Sequence, residues 1–144
     1  MVAPQAAYDE LASYTLTLGD AAFIHQHVVD AFAAQQATET TKAITVAFAL
    51  IGLYLHVERG FTGRQVQRAH MMLARRSRNW PVFTLPEARG ARTATDVLAT
   101  PAGPARDHAI SDWCASVWSA YAEIAPEVAA LAREYGLDAW APGD

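Results

Sequence analysis

Residues 43–57, AITVAFALIGLYLHV, carry no acidic or strongly basic side chain. No other stretch constrains the fold as much. It is too short and too interrupted to cross a membrane, which takes about 20 apolar residues. In water it would expose apolar groups on every face. It is expected to be a helix buried on most sides, so other elements must surround it. Thr38, Thr40 and Thr41 mark the turn before it. It runs to about Arg59, and Gly60 is a natural C-terminal residue.

The rest of the chain supplies the surrounding elements. A first helix is read over 5–18, opening after Pro4 and stopped by Gly19. Asp20 caps a second helix to about Gln36. Thr62 caps a fourth to about Arg78. Between 79 and 104, Pro81, Pro86, Pro101 and Pro104 break regular structure. TATDVLAT allows one short helical turn there. A loop of that length in a compact domain is usually functional or mobile. A last long helix runs from near Ala105 to about Ile124. Pro126 starts or kinks a further one that ends at Gly136. Strand-type alternation is absent. The expected architecture is all-α, a single-domain bundle of five or six helices over 1–144.

Composition narrows the class. With 52% hydrophobic and 18% charged residues the chain reads as globular. A net charge of -4 argues against nucleic acid as a generic partner. Cys114 is the single cysteine, which removes an intrachain disulfide and a cysteine-based zinc cluster. MVAPQAAYDE lacks the basic region and apolar run of a secretory signal. A cytoplasmic protein without a membrane partner is the expectation.

Helical spacing sorts the polar residues. In the second helix Ile24, Val28, Phe32 and Gln35 form one stripe, with His25 at its edge. His27 and Asp30 sit on the far side and read as a solvated pair. His70 shares a face with Val66, Ala69 and Leu73. His56 ends the apolar run, and Glu58 follows. In the last long helix Ile110, Cys114, Val117 and Tyr121 form the stripe, flanked by Trp113 and Trp118. Asp107 lies on that side, and His108 points away. A lone inward histidine is most often a hydrogen-bonded core residue, and a helix-terminal one favours the dipole. Of the eleven basic residues, Arg59, Arg64, Arg68, Arg75, Arg76 and Arg78 form a local patch. Such a patch suits an anion or, more ordinarily, a solvated face. A Gly-rich phosphate loop, GxSxG, HExxH and Glu-x-x-His are all missing.

Three segments, HQHVVDAFAAQ, LIGLYLHVERG and WCASVWSAY, resemble in order an uncharacterised bacterial family of small helical proteins, a domain of unknown function. The likeness spans roughly residues 8–122. The matching positions are His25, Asp30, Gln35, Leu50, Ile51, Gly52, Glu58, Arg59, Gly60, Trp113 and Trp118. The family has histidines where this chain has Gln36 and Ala49, and many members begin with a cysteine pair that is missing here. If those histidines bind a metal in relatives, the resemblance implies a scaffold that has lost the site. It also makes Asp30 a buried helix-to-helix hydrogen-bond partner. The family brings no activity.

The leading expectation is a small-molecule enzyme without a redox cofactor, a cyclase, isomerase or dehydratase by type. Its pocket would lie between the second, third and last helices under the 79–104 loop. His25 would be the general acid or base, with Asp30 or Glu58 orienting it. Phe32, His56, His70, Trp113, Trp118 and Tyr121 would line the substrate site. One alternative is a divalent metal held by His25, His56 and His70 with an acid. Another is a non-catalytic binding protein, including a homodimer through an apolar helix face.

Overall fold

The computed structural model describes residues 4–76 and 79–139. Seven α-helices follow one another: α1 (Pro4–Leu18), α2 (His25–Gln36), α3 (Ala43–Val57), α4 (Gly63–Ala74), α5 (Ala94–Leu98), α6 (Pro104–Ala120) and α7 (Ala125–Glu134). Two 3-10 turns, Ala122–Ile124 and Leu137–Ala139, flank α7. No strand occurs among the described residues. The fold is all-α as expected. The count exceeds five or six because the TATDVLAT turn closes into α5, whose Thr93 and Asp96 form a reciprocal capping box.

The apolar stretch is α3, and most of it is fully enclosed. Leu50, Ile51, Leu53 and Leu55 expose almost nothing. It packs against α2, α4, α6 and α7. None of the helices described is long and apolar enough to cross a membrane. The second surrounded element is α2, which lies against α1, α3, α4 and α6. His27 and Asp30, expected as a solvated pair, lie on its buried face. Their exposures are 4% and 3%.

Two helix ends differ from the sequence reading. Asp20 accepts from the Ile24 amide at 3.0 Å, but it caps a turn and not α2 itself. Phe23 takes φ 51 there, so α2 begins only at His25. The fourth helix was expected to reach Arg78 but stops at Ala74. Beyond it the chain lays Trp80 edge-on against Phe48 and beside Tyr135. Ser77 and Arg78 lie outside the described residues. The start of α4 is as read, with Thr62 and Gln65 forming a capping box.

Residues 84–92 form a strap fastened to two helices. The Arg89 guanidinium caps the C-terminal end of α2, with its closest bond to the Ala37 carbonyl at 2.8 Å and longer ones to Ala34 and Gln35. Its Nε also donates to the Pro86 carbonyl within the strap. From α2, the Gln35 amide returns bonds to the Arg89 and Arg92 carbonyls. Gly90, at φ 98, lies so close to α6 that a Cβ would meet Ser116 Oγ at 2.8 Å and its carbonyl at 2.9 Å. Arg89→Ala is expected to cost about 2 kcal/mol, since hydrogen bonds from a charged donor to buried acceptors carry about that much. Limited proteolysis should then cut within 84–92 in the variant and spare the wild type. Equal resistance would show that the strap does not depend on Arg89.

Candidate functional site

Two of the buried polar side chains, His27 and Asp30, lie on one seam between α2 and α3, while Thr15 is buried on α1 and Gln65 on α4. The His27 and His56 rings stack face to face, 3.5 Å between centroids and 19° between planes. Three residues on along α2, the Asp30 carboxyl lies on the backbone of Gly52, four residues back along α3. A Cβ on Gly52 would fall 1.9 Å from Asp30 Oδ2. Glycine at 52 is thus the condition for a carboxyl at 30.

Hydrogen bonds fix several protons on the seam and beside it. Gln26 Nε2 donates to Asp30 Oδ1 at 3.1 Å and reaches His70 Nδ1 at 3.3 Å. His70 Nε2 meets the Phe48 carbonyl at 2.8 Å. A carbonyl only accepts, so the His70 proton sits on Nε2 and its Nδ1 accepts from Gln26. By the same reasoning His56 carries its proton on Nδ1, which donates to the Phe61 carbonyl at 3.1 Å. The Cys114 thiol donates to the His27 carbonyl at 3.6 Å. Among the described residues, two buried side-chain atoms have no hydrogen-bond partner on the protein, His27 Nδ1 and Asp30 Oδ2.

Burial dominates the protonation states. It pushes His27 down to about 3, with the neighbouring His56 adding to the effect. It holds Asp30 well above the usual carboxylate range, partly offset by the Gln26 amide. His56 and His70 are lowered by burial against the opposing pull of the Phe61 and Phe48 carbonyls. Burial also raises the Cys114 thiol, helped by the nearby Asp30, so it stays an unreactive thiol.

The residues expected to form one acid–base site turn to different helices. His25 is half-buried and bonds through Nδ1 to Thr15 Oγ1 of α1 at 2.9 Å. Burial lowers its pKa. Asp30 faces α3. Glu58 accepts from Trp118 Nε1 of α6 at 2.6 Å. The metal set His25, His56 and His70 is not gathered either. Among the described residues no three His, Cys, Asp or Glu side chains stand together as ligands.

The expected lining residues are dispersed too. Trp113 is fully buried and donates to Gln35 Oε1 at 3.0 Å. The Tyr121 hydroxyl donates to the Ala34 carbonyl at 2.6 Å. Phe32 stacks on Tyr8 of α1 at 4.2 Å. His108 is exposed beside Asp112. In the basic patch Arg64 lies over the Phe23 ring and bonds Gln67, while Arg76 lies over Tyr135.

The pocket is not where it was expected. Side chains such as Val28, Leu50, Val117 and Trp113, all buried, fill the space between α2, α3 and α6. A cleft of about 940 Å³ opens instead on the outer side of α6, under the strap. Its walls include Leu85, Pro86, Tyr121 and Ile124, with Ser116, Ser119, Glu87 and Glu123 as polar groups. A hollow of about 310 Å³ lies beside Phe32, Gln35 and Gln36. Neither is lined by His25, Asp30 or Glu58. The cleft does lie under part of the 79–104 loop with Tyr121 in its wall, as expected, but helical spacing put it on the inner side of α6, whereas its walls are the irregular loop, the outer face of α6 and the turn after it.

A family described as a family of unknown function (DUF5946) matches residues 5–122. No curated protein and no solved structure matches the chain.

Proposed function

The chain belongs to the DUF5946 family, and we propose that it binds a small organic molecule in the cleft under the strap. One observation supports this reading: a cleft of about 940 Å³ stands open beneath residues 84–91, whereas His25, Asp30 and Glu58 turn to different helices and line neither hollow. The cleft offers an apolar wall for the body of a ligand and hydroxyls and carboxylates for its polar end. Among the described residues no lysine or arginine lines it. The ligand class that suits it is therefore an alcohol or amine with an apolar body, not a phosphate or carboxylate.

Thermal shift followed by calorimetry tests the reading. Small amines and alcohols are expected to raise the melting temperature, and matched carboxylates and phosphates are not. Ala120→Trp fills the cleft from its α6 wall and should abolish the shift while leaving the fold intact. A ligand that still binds the Trp variant with unchanged affinity would place the site elsewhere.

A further inference from the structure

Past the end of α4, residues 81–85 run outside any helix or strand. Pro81 and Pro86 bracket the run, and each proline favours an extended backbone at the residue before it. Burial alternates along it. Phe83 is 5% exposed and Leu85 is half-buried, whereas Val82 is 87% exposed and Thr84 is exposed. That is the two-residue period of a strand. Its backbone is nonetheless unpaired. Among the described residues no hydrogen bond engages the amide or carbonyl of Val82, Phe83, Thr84 or Leu85. An extended edge with free amides and carbonyls is a template for another strand.

Loop backbone left to solvent is ordinary, and the hollow alongside is what sets this run apart. A space of about 390 Å³ opens between residues 82–85 and the start of α3. Ala43, Val46 and Phe83 give it apolar walls, and Glu39 a carboxylate. Thr84 and Leu85 also belong to the wall of the cleft, where Glu87 stands. Among the described residues no lysine or arginine lines either space. Arg89, two residues past Glu87, turns its guanidinium to the carbonyls at the end of α2. A second copy of this chain, docked by the same patch, would set these carboxylates against each other, and like charges across an interface are penalised. A cationic partner fits instead.

We propose that residues 82–85 are the docking edge for an extended, basic segment of another protein, which pairs with this backbone as an added strand. Alternate residues of a strand turn their backbone groups to the same edge, so either Val82 with Thr84 or Phe83 with Leu85 serves the partner. Main-chain bonds then give affinity, and side chains at every second position give selectivity. An apolar side chain enters the hollow by Ala43 and Val46, and Lys or Arg answers Glu39 and Glu87. The prolines set the length. Pro81 brings no amide and Pro86 ends the row of donors, so the edge takes a short segment and does not grow into a sheet. Docking here needs no ligand in the cleft.

Fluorescence anisotropy on the full chain tests this with a labelled short peptide of alternating Val and Lys. It is expected to bind, and more weakly as salt rises. The matching peptide of Val and Glu is expected not to bind. Two further versions of the Val and Lys peptide carry N-methyl groups, one on the Val amides and the other on the Lys amides. Only one set of amides faces a partner strand, so one version should lose about tenfold or more in affinity and the other little. Backbone NMR of the complex should show alternate amides within 82–85 protected from exchange. Ala120→Trp, which fills the cleft, should bind the peptide as the wild type does. The proposal is overturned if the Val and Lys peptide shows no binding at about 1 mM, if the Val and Glu peptide binds equally, or if both methylated versions bind like the parent. It is overturned too if the 82–85 amides are already protected in a dimer of the free chain, or if Ala120→Trp abolishes peptide binding.

Discussion

Gly52→Ala is expected to destabilise the protein by about 2–3 kcal/mol, a large loss for the addition of one methyl group. Two effects oppose each other. Alanine inside a helix is favoured over glycine by roughly 1 kcal/mol. Against that, the new Cβ would lie 1.9 Å from Asp30 Oδ2, 2.6 Å from its Cγ and 3.2 Å from Val66 Cγ1. The carboxyl has nowhere dry and satisfied to go, since it is enclosed between α2 and α3 and already holds the Gln26 amide. Overpacking a tight core costs about 1–3 kcal/mol, and pushing a buried carboxyl off its hydrogen bond adds about 1–3 kcal/mol, so the two together outweigh the propensity gain. Urea denaturation of Gly52→Ala, Asp30→Ala and the double variant closes a cycle. The double variant should be more stable than the sum of the single losses implies, because removing the carboxyl vacates the space the methyl needs. A Gly52→Ala protein as stable as wild type would mean that the two helices sit further apart on the seam.

That pair also shows how far the sequence could be read. The apolar run at 43–57 specified a surrounded helix because no other element buries every face. Gly19, Gly60 and Gly136 marked the ends of α1, α3 and α7, and Thr62 marked the start of α4. The start of α2 was misplaced because Phe23, and not a glycine, takes the left-handed turn. Side-chain periodicity then failed on α2, because polarity was taken to mark the wet side, whereas the buried face is His27, Val28, Asp30, Ala31 and Ala34 and the more open one runs through Val29, Phe32 and Gln36. His27 and Asp30 were placed outward for that reason. The resemblance did better on Asp30, because its shared positions turn out to be partners across helices. Asp30 meets Gly52, Gln35 meets Trp113, and Glu58 meets Trp118. Those positions hold helices in register, which spacing along one helix cannot reveal. The cleft's cover and Tyr121 were anticipated, but its place on the outer side of α6 was not, for a different reason. It depends on Arg89 capping a helix some fifty residues earlier in the chain, a contact that local pattern does not encode.

Acid is expected to unfold this protein mainly through its buried histidines. His27 falls from 6.5 to about 3 in the folded state. A histidine with a lowered folded pKa binds its proton first in the unfolded chain. Its stabilising contribution is therefore whole above about pH 6.5 and is lost as pH falls from there toward about 3. At 1.36 kcal/mol per pH unit the loss from His27 alone is on the order of 4–5 kcal/mol at the bottom of that window. Domains of this size are stable by about 5–15 kcal/mol, so one histidine is enough to matter. His25, His56 and His70 are shifted in the same direction and steepen the fall. Asp30 works the other way. Its folded pKa is raised above 3.8, so its contribution is whole below that value and is lost as pH rises toward the folded pKa. His27→Phe keeps an aromatic ring against His56 and should flatten the acid limb. Asp30→Asn should leave the acid limb in place and raise stability at neutral pH. Urea midpoints between pH 4 and pH 8 for the three proteins separate the two effects. An unchanged acid slope in His27→Phe would show that His27 is protonated without cost in the folded state. If Asp30→Asn instead lowers neutral stability, the carboxylate is ionised there and balanced by a donor. The two residues sit three apart on one helix and pull stability in opposite directions with pH, so the native seam is expected to be steadiest where neither is charged.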